Sequence, residues 1–328
     1  MVSFSIKSLF SLPLAILFLF VSLIFVGCDP IKPNPYENLD IIGIWEQDSY
    51  RAENCNAPLE NELSYCKNNC EILQIGAGTI TIDEYETYEF SINKDTMIIV
   101  MPDKKVSLKY TYDGDVLTFF YQQDIFSGGC SITTTYHKAA TDIDGNIYHT
   151  VDIGTQTWMV ENLKTTRFND GTDIPFVSDG KQWENMTSAA ACWYDNNHLY
   201  KELYGVLYNF YAAKSGNICP QGWHVPSDAE WTKLSNFLGG ETIAGGKLKE
   251  TGTNLWWSPN SEATNESGFT ALPGGTRYNF GQFDNIGRVG YWWTSTPEWY
   301  RQLLWQEGVL HRYGNLWQNG MCIRCVKN

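Results

Sequence analysis

The stretch ICPQGWHVPSDAEWTKLSNFLGG, residues 218–240, contains the most complete helix signal in the chain. Ser227 and Glu230 have the spacing of a capping box, in which each side chain bonds to the other residue's backbone N–H. Gly239 can adopt the left-handed conformation that ends many helices. Apolar residues spaced by three and four positions share one buried face: Trp231, Leu234 and Leu238. The stretch therefore predicts a short capped helix with one face in a core.

Short strands and loops rich in Gly, Asn and Pro surround this helix between about residues 142 and 328. Asp144-Gly145-Asn146 is a turn sequence that predicts a first hairpin, with TVDIGTQTWM, residues 150–159, as its second strand. A single clear helix among short strands is typical of an α+β domain.

Several sequence blocks of this region occur together and in order in one known family. They include ACWYDNN, YGVLYNFYAA, GGKLKETGT, GFTALPGGTRYNFGQF, GYWWTSTPEW and IRCVKN. Residues 142–328 thereby resemble the Fibrobacter succinogenes major paralogous domain (FISUMP), a family found on bacterial surface and secreted proteins. The resemblance implies a C-type-lectin-like fold, shared distantly with sulfatase-modifying enzymes.

The beginning of the chain predicts export and attachment to a membrane. An apolar run over residues 9–27 ends in FVGC, which resembles a bacterial lipobox. We expect residues 1–27 to be a lipoprotein signal peptide, Cys28 to carry the lipid, and residues 28–38 to form an extended tether. A plain secretory signal and a retained anchor are the alternatives. The lipid predicts a cell-envelope protein at the outer membrane or cell surface.

Residues 39–138 predict a separate antiparallel β domain. Runs rich in Thr, Tyr, Ile and Val alternate there with turn residues, and Asp113-Gly114 between two of them indicates a hairpin. The Gly43-Ile44-Trp45 motif and a closing TYHK resemble a lipocalin. We therefore expect a small lipocalin-like barrel, filled by side chains or open to an apolar ligand. We therefore predict a mainly β chain, in which this β domain is followed by the α+β domain.

The composition argues against two kinds of partner. The formal net charge is −14, whereas nucleic acid and anionic lipid heads both require basic surface. Only 18% of residues are charged and 15% are aromatic, which indicates a globular chain and excludes an extensively disordered one.

The cysteine count is consistent with disulfide bonds in an exported chain. Eight cysteines remain after Cys28, four on each side of residue 140: Cys55, Cys66, Cys70, Cys130, Cys192, Cys219, Cys322 and Cys325. Pairing within each half is expected, and a metal site is the alternative for the closely spaced pairs. The lectin-like resemblance implies a bond between Cys219 and Cys325, which leaves Cys192 with Cys322.

Tryptophans and oxygen-bearing side chains indicate a binding site, because aromatic rings stack on sugars and carboxamides bond their hydroxyls. Twelve of the 13 Trp lie after residue 140. We predict ligand-binding residues at two Trp pairs and the segment after the first: Trp256, Trp257, Asn260, Glu262, Asn265, Glu266, Trp292 and Trp293. The four polar residues among them also suit calcium, the one cofactor considered. Alternatively, most of these tryptophans belong to the core.

No hydrolase elbow occurs, and GGETIAGGK, residues 239–247, lacks the spacing of a phosphate-binding loop. Sulfatase-modifying relatives act through cysteines, which would make Cys322 and Cys325 a redox pair. We expect instead a non-catalytic binding module for a glycan or a protein partner. A cysteine-dependent enzyme and a purely structural scaffold are the alternatives.

Overall fold

The computed structural model describes residues 43–53, 62–65, 72–75, 79–82, 86–93, 96–102, 105–112, 116–125, 128–314 and 317–328. The chain forms two compact units, with the boundary between Ala139 and Ala140. The predicted signal peptide, tether and lipidated Cys28 lie outside the described residues, as do the first three cysteines after it and the side chain of Cys130. No helix in the described part of the chain is long and apolar enough to cross a membrane.

The described residues of the first unit form one antiparallel sheet of nine strands. The strands are β1 Gly43–Glu53, β2 Glu62–Tyr65, β3 Ile72–Ile75, β4 Thr79–Ile82, β5 Glu86–Asn93, β6 Thr96–Val100, β7 Lys105–Tyr112, β8 Val116–Ile125 and β9 Gly128–Lys138. From β3 to β9 each strand pairs with the next along the chain, and β1 pairs with β2, β3 and β9. The predicted antiparallel β domain is confirmed, and its lipocalin-like form stays a prediction.

Alternating apolar residues build the core of this sheet. On β6, Met97 and Ile99 are buried while Val100 is exposed, as the period of two in a strand requires. They pack with buried residues of β3, β4, β5, β7 and β8 in one cluster. The predicted pairing of the two flanking runs is confirmed by β7 and β8, in which Tyr112 lies opposite Leu117. The Asp113-Gly114 turn itself lies outside the described residues.

The second unit combines short strands with five short α-helices. The strands are β10 Ala140–Thr141, β11 Ile147–Tyr148, β12 Thr150–Ile153, β13 Gln156–Met159, β14 Ala191–Cys192, β15 Leu207–Tyr208, β16 Trp223–His224, β17 Gly274–Arg277, β18 Phe283–Ile286, β19 Val289–Trp293, β20 Trp299–Leu304, β21 Leu310–Gly314 and β22 Val326–Lys327. The helices are α1 Gly180–Glu184, α2 His198–Tyr204, α3 Phe210–Ala213, α4 Asp228–Phe237 and α5 Glu241–Leu248. The two largest sheets are β12-β13-β22-β16 and β19-β20-β21.

Helix α4 is the helix that the capping box predicts. The Glu230 carboxylate accepts a hydrogen bond from the Ser227 backbone N–H at 2.7 Å, and the Ser227 hydroxyl accepts one from the Glu230 N–H. Trp231, Leu234 and Leu238 are all buried, as their spacing requires. Gly239 follows with φ of +102°. Here the local sequence was sufficient to place both the helix and its buried face.

The predicted first hairpin is correct at its turn and wrong in its second strand. Residues 144–146 connect β10 to β11. The Asp142 carboxylate accepts hydrogen bonds from the backbone N–H groups of Asp144 and Asn146. The stretch predicted as one strand, residues 150–159, instead turns at Gly154, whose φ is +67°. It therefore forms the separate hairpin β12–β13.

Large aromatic side chains fill the core of the second unit. The fully buried tryptophans are Trp158, Trp183, Trp231, Trp256, Trp292 and Trp293. Trp158 and Trp231 lie 4.9 Å apart, and the Phe269 ring lies 5.7 Å from each. The predicted Cys219–Cys325 disulfide is present, with its Cα atoms 6.1 Å apart. It joins the segment before α4 to the segment that precedes β22.

Candidate functional site

The sheet β19-β20-β21 exposes one end of a row of aromatic rings. Trp293, Tyr300 and Tyr313 are directly opposite one another on the three strands. Because side chains on a strand alternate between faces, paired residues point to the same face. Trp293 is buried, Tyr300 is half-buried, and 45% of Tyr313 is exposed. The row thus runs from the core to solvent.

Neighbouring rings widen this row into a continuous surface, which we call the aromatic surface: Tyr278, Phe280, Asn285, Tyr291, Tyr300, His311 and Tyr313. The ring of Tyr300 lies 5.9 Å from that of Tyr291 and 6.0 Å from that of Tyr313. His311 stacks on Tyr313 at 5.6 Å, and Tyr278 stacks on Phe280 at 5.3 Å.

Polar groups meet within the aromatic surface. The Asn285 carboxamide nitrogen donates hydrogen bonds to the Tyr291 hydroxyl at 3.0 Å and to the Tyr278 hydroxyl at 3.3 Å. Burial raises the pKa of Tyr300 to about 12 and raises the pKa of Tyr291 above its usual value. Both hydroxyls therefore keep their protons at neutral pH, and they can donate hydrogen bonds as well as accept them.

Exposed apolar rings flank these hydroxyls. Phe280 is 49% exposed, and Tyr313 is exposed to a similar degree. His311 is held by the Glu307 carboxylate, 2.7 Å from its Nε2 atom. A face of this kind offers stacking area, hydroxyls and a carboxamide, which are the groups that bind neutral polyhydroxylated ligands.

The predicted tryptophan pairs lie mainly in the core. Trp256, Trp292 and Trp293 are buried and their indole nitrogens bond to the protein, so these three rings cannot stack on a ligand. Trp292 and Trp293 are adjacent on β19 and point to opposite faces of the sheet, and both side chains are covered, as the alternative of a core role requires. Trp257 is the exception, with 55% of its surface exposed and the Arg288 guanidinium 5.0 Å from its ring.

The predicted polar residues serve their own loop. Asn260 donates to the carbonyls of Glu250 and Gly252. Asn265 bonds through both ends of its carboxamide to Thr270. The Glu266 carboxylate lies 2.6 Å from the Lys247 ammonium.

The loop holds a cation of its own, the ammonium of Lys249. This buried group donates to the backbone carbonyls of Ser261 at 2.7 Å, Glu307 at 3.0 Å and Leu304 at 3.1 Å. Burial lowers the pKa of Lys249 to about 8, and the nearby carboxylates of Glu262 and Glu307 act in the opposite direction.

Of the four residues predicted to suit calcium, Asn265 and Glu266 thus bond to Thr270 and Lys247. The Asn260 nitrogen donates within the loop, whereas its buried side-chain oxygen accepts no hydrogen bond from the described residues. No cluster of three or more His, Cys, Asp or Glu side chains among the described residues is arranged to hold a metal ion.

Comparison with known families decides the identity of this unit. The family model of the Fibrobacter succinogenes major domain matches residues 151–327, which is more than half of the chain. The chain belongs to this family. No curated protein and no solved structure matches the chain.

The Fibrobacter succinogenes major domain thus extends from β12 to β22. It includes the capped helix α4, the Cys219–Cys325 disulfide, the Lys249 loop and the whole aromatic surface. The nine-stranded unit lies outside the match.

The remaining cysteines of the Fibrobacter succinogenes major domain are not bonded. Cys192 and Cys322 are free and buried, so the predicted bond between them is not formed. Strand β15 separates them: Leu207 pairs with Cys192, and Tyr208 pairs with Met321. Two strand spacings are about 10 Å, beyond the roughly 7 Å that a disulfide spans between Cα atoms.

The alternative of a redox pair formed by Cys322 and Cys325 has no support in the structure. Cys325 is bonded to Cys219, and Cys322 lies in the core, where its thiol contacts the Tyr204 carbonyl at 3.6 Å. Burial raises the pKa of both Cys192 and Cys322 to about 12, so neither is a nucleophilic thiolate at neutral pH.

Sequence reasoning missed the aromatic surface of the Fibrobacter succinogenes major domain. The sequence does contain a signal for this surface, because each of three short strands carries one of its tyrosines: Tyr291 on β19, Tyr300 on β20 and Tyr313 on β21. Their meeting depends on the register of three strands and on the β17–β18 hairpin, which positions Asn285. The tryptophan pairs that the sequence suggests as a binding site lie mainly in the core.

Proposed function

We propose that the chain is a lipid-anchored protein of the bacterial cell envelope. Its Fibrobacter succinogenes major domain acts as a non-catalytic binding module for a glycan, and the aromatic surface is the binding site. The observation that carries this proposal is the exposure of the Phe280 and Tyr313 rings beside tyrosine hydroxyls and a carboxamide. The lipobox-like end of the apolar run and the C-type-lectin-like resemblance support the location and the class of fold.

The chemistry of the aromatic surface fits a neutral sugar. Tyrosine rings supply large, rigid contact area at low entropic cost, and their hydroxyls can donate and accept. The His311 ring is already bonded to Glu307.

The rival enzymatic role has little support from the thiols. A cysteine nucleophile requires an accessible thiolate, whereas the free cysteines of the described chain are buried with a raised pKa.

A protein partner is the second candidate, and one exposed apolar region favours it. Leu199 and Leu203 are four residues apart on α2 and are 66% and 44% exposed. Phe176, 46% exposed, packs on Trp193 at 4.6 Å, and the Trp193 ring contacts His198 at the start of α2.

A glycan array with the full chain in detergent, run with calcium and again with EDTA, tests the glycan proposal. We expect binding that is the same in both conditions, since no three His, Cys, Asp or Glu side chains of the described residues are arranged to hold a metal ion. Binding that requires calcium would contradict the assignment of the site. No binding to any sugar in either condition would contradict the glycan and favour the protein partner.

The anchor has its own test. The variant Cys28→Ser should lose the incorporation of labelled palmitate, because the lipid would have no attachment point. Unchanged labelling of this variant would contradict lipidation at this residue.

A further inference from the structure

A glutamine, Gln302, lies among the rings of the aromatic surface. On β20 it is directly opposite Tyr291 of β19 on one side and His311 of β21 on the other. Paired residues of an antiparallel sheet point to the same face, so the Gln302 side chain stands between these two rings. Along its own strand, the same face carries Tyr300 and Leu304. Rings and an aliphatic side chain thus surround a single carboxamide.

The Gln302 carboxamide is available to a ligand. Gln302 is half-buried, and its Oε1 and Nε2 atoms form no hydrogen bond with the described residues. Neither belongs to the buried side-chain atoms that lack a partner, so both are accessible to solvent. The Asn285 nitrogen, by contrast, donates to the hydroxyls of Tyr291 and Tyr278. Of these two carboxamides, Gln302 is therefore the one that can donate to a ligand and accept from it at the same time.

The strands of the sheet favour a neutral ligand on this face. The residues that β19, β20 and β21 place on the face of Gln302 include no Lys, Arg, Asp or Glu. Arg301 and Arg312 lie opposite each other on the other face, where both bond to the Asp228 carboxylate. A sugar carboxylate or sulfate would therefore meet no Lys or Arg from these strands.

We propose that Gln302 determines the specificity of the aromatic surface, and that the ligand is a neutral glycan of N-acetylhexosamine units. This inference rests on the glycan-binding role proposed above. The Gln302 Nε2 donates to the carbonyl of the acetamido group, and its Oε1 accepts from the acetamido N–H. The acetamido methyl group lies against the rings of Tyr291 and His311, a contact that a sugar hydroxyl cannot make. The exposed Tyr313 ring stacks on the sugar.

Calorimetric titration of the full chain in detergent with triacetylchitotriose and cellotriose tests the proposal. The two trisaccharides have the same linkage and differ only where an acetamido group replaces a hydroxyl on each unit. We expect saturable binding of triacetylchitotriose and at least about tenfold weaker binding of cellotriose, as the loss of two neutral hydrogen bonds predicts. Equal affinities, or stronger binding of cellotriose, would overturn the proposal and leave the glycan-binding role intact.

Variants assign the preference to Gln302. Gln302→Met keeps the length of the side chain and removes both polar atoms. We expect it to weaken binding of triacetylchitotriose about tenfold and to change the cellotriose affinity about twofold at most, so that the preference is lost. Gln221→Met, at an exposed glutamine before β16, is the matched control and should retain the preference. A preference that survives Gln302→Met would overturn the proposal.

Two further outcomes separate this inference from the glycan-binding role. Absence of binding to either trisaccharide would overturn the acetamido specificity, whereas the glycan array decides whether any other sugar binds. Binding of triacetylchitotriose that Tyr313→Ala leaves unchanged would place the sugar outside the aromatic surface and overturn both proposals. Should Gln302→Met fail to fold, the comparison of the two trisaccharides on the wild type still decides.

Discussion

The loop from Lys249 to Pro273 and the aromatic surface contain similar residues and use them in opposite ways. In the loop, Trp256 is buried and the asparagine side chains bond to nearby loop residues around the Lys249 ammonium. On the aromatic surface, the Asn285 carboxamide and tyrosine hydroxyls lie between rings that remain exposed. The loop uses its polar groups to hold its shape, whereas the aromatic surface keeps its polar groups beside exposed rings.

This difference shows that aromatic and carboxamide content does not by itself identify a binding site. A long loop has many backbone carbonyls that must be satisfied, and side chains within the loop are the nearest donors. A sheet satisfies its own backbone, which leaves the side chains on an uncovered face available to a ligand.

The largest expected effect is the loss of stability when Lys249 in the loop is replaced. Lys249→Met should lower the free energy of unfolding by about 3 kcal/mol, because three buried carbonyls lose their donor. Urea unfolding measures it, with Lys247→Met as the control. Lys247 forms an exposed ion pair with Glu266, so its loss should cost less than about 0.5 kcal/mol. Equal effects of the two variants would remove the distinction between the buried and the exposed lysine.

The aromatic surface should respond in binding rather than in stability. Tyr313→Ala should weaken glycan binding about tenfold, or about 1.4 kcal/mol, since one exposed stacking ring is lost. Trp257→Ala removes an exposed ring beside the loop and should leave the affinity unchanged. Affinity measured by titration with an array-positive sugar separates the two, and the reverse pattern would return the binding site to the loop.

Alkaline pH should act on the two regions with opposite sign. Lys249 has its pKa lowered from 10.5 to about 8, so the unfolded chain binds more protons between these values and the loop's contribution to stability rises with pH. Tyr300 has its pKa raised from 10.0 to about 12, so its contribution is complete below pH 10 and is lost as pH rises toward 12.

Urea unfolding from pH 7 to 11 measures both contributions. The stability difference between the wild type and Lys249→Met should widen from pH 8 to 10. The difference between the wild type and Tyr300→Phe should narrow above pH 10. If both differences moved in the same direction, at least one of these assignments would be refuted.

The smallest expected effect concerns Glu266, one of the residues predicted to suit calcium. Glu266→Gln breaks an exposed ion pair and should change the free energy of unfolding by less than about 0.5 kcal/mol, with no change in glycan affinity. Loss of affinity in this variant would show that the loop binds the ligand after all.

Features that depend on neighbouring residues could be predicted from the sequence. The cap of α4, its buried face and the turn at Gly145 follow from side chains that interact within about four positions. Family resemblance supplied the one long-range feature that was correct, the Cys219–Cys325 bond. The separation of Cys192 from Cys322 by strand β15 could not be predicted, since no local pattern reports which strand lies between two others.

The sequence alone thus determined the antiparallel β unit, the capped helix and the family of the second unit. Tertiary structure decided which aromatic rings are core and which are surface, because that depends on which face of β19–β21 the rest of the domain covers. It also placed the Lys249 ammonium beside the Leu304 carbonyl, because this contact joins segments that are distant in the chain. Local interactions act between neighbours in sequence, whereas a binding site is defined by neighbours in space.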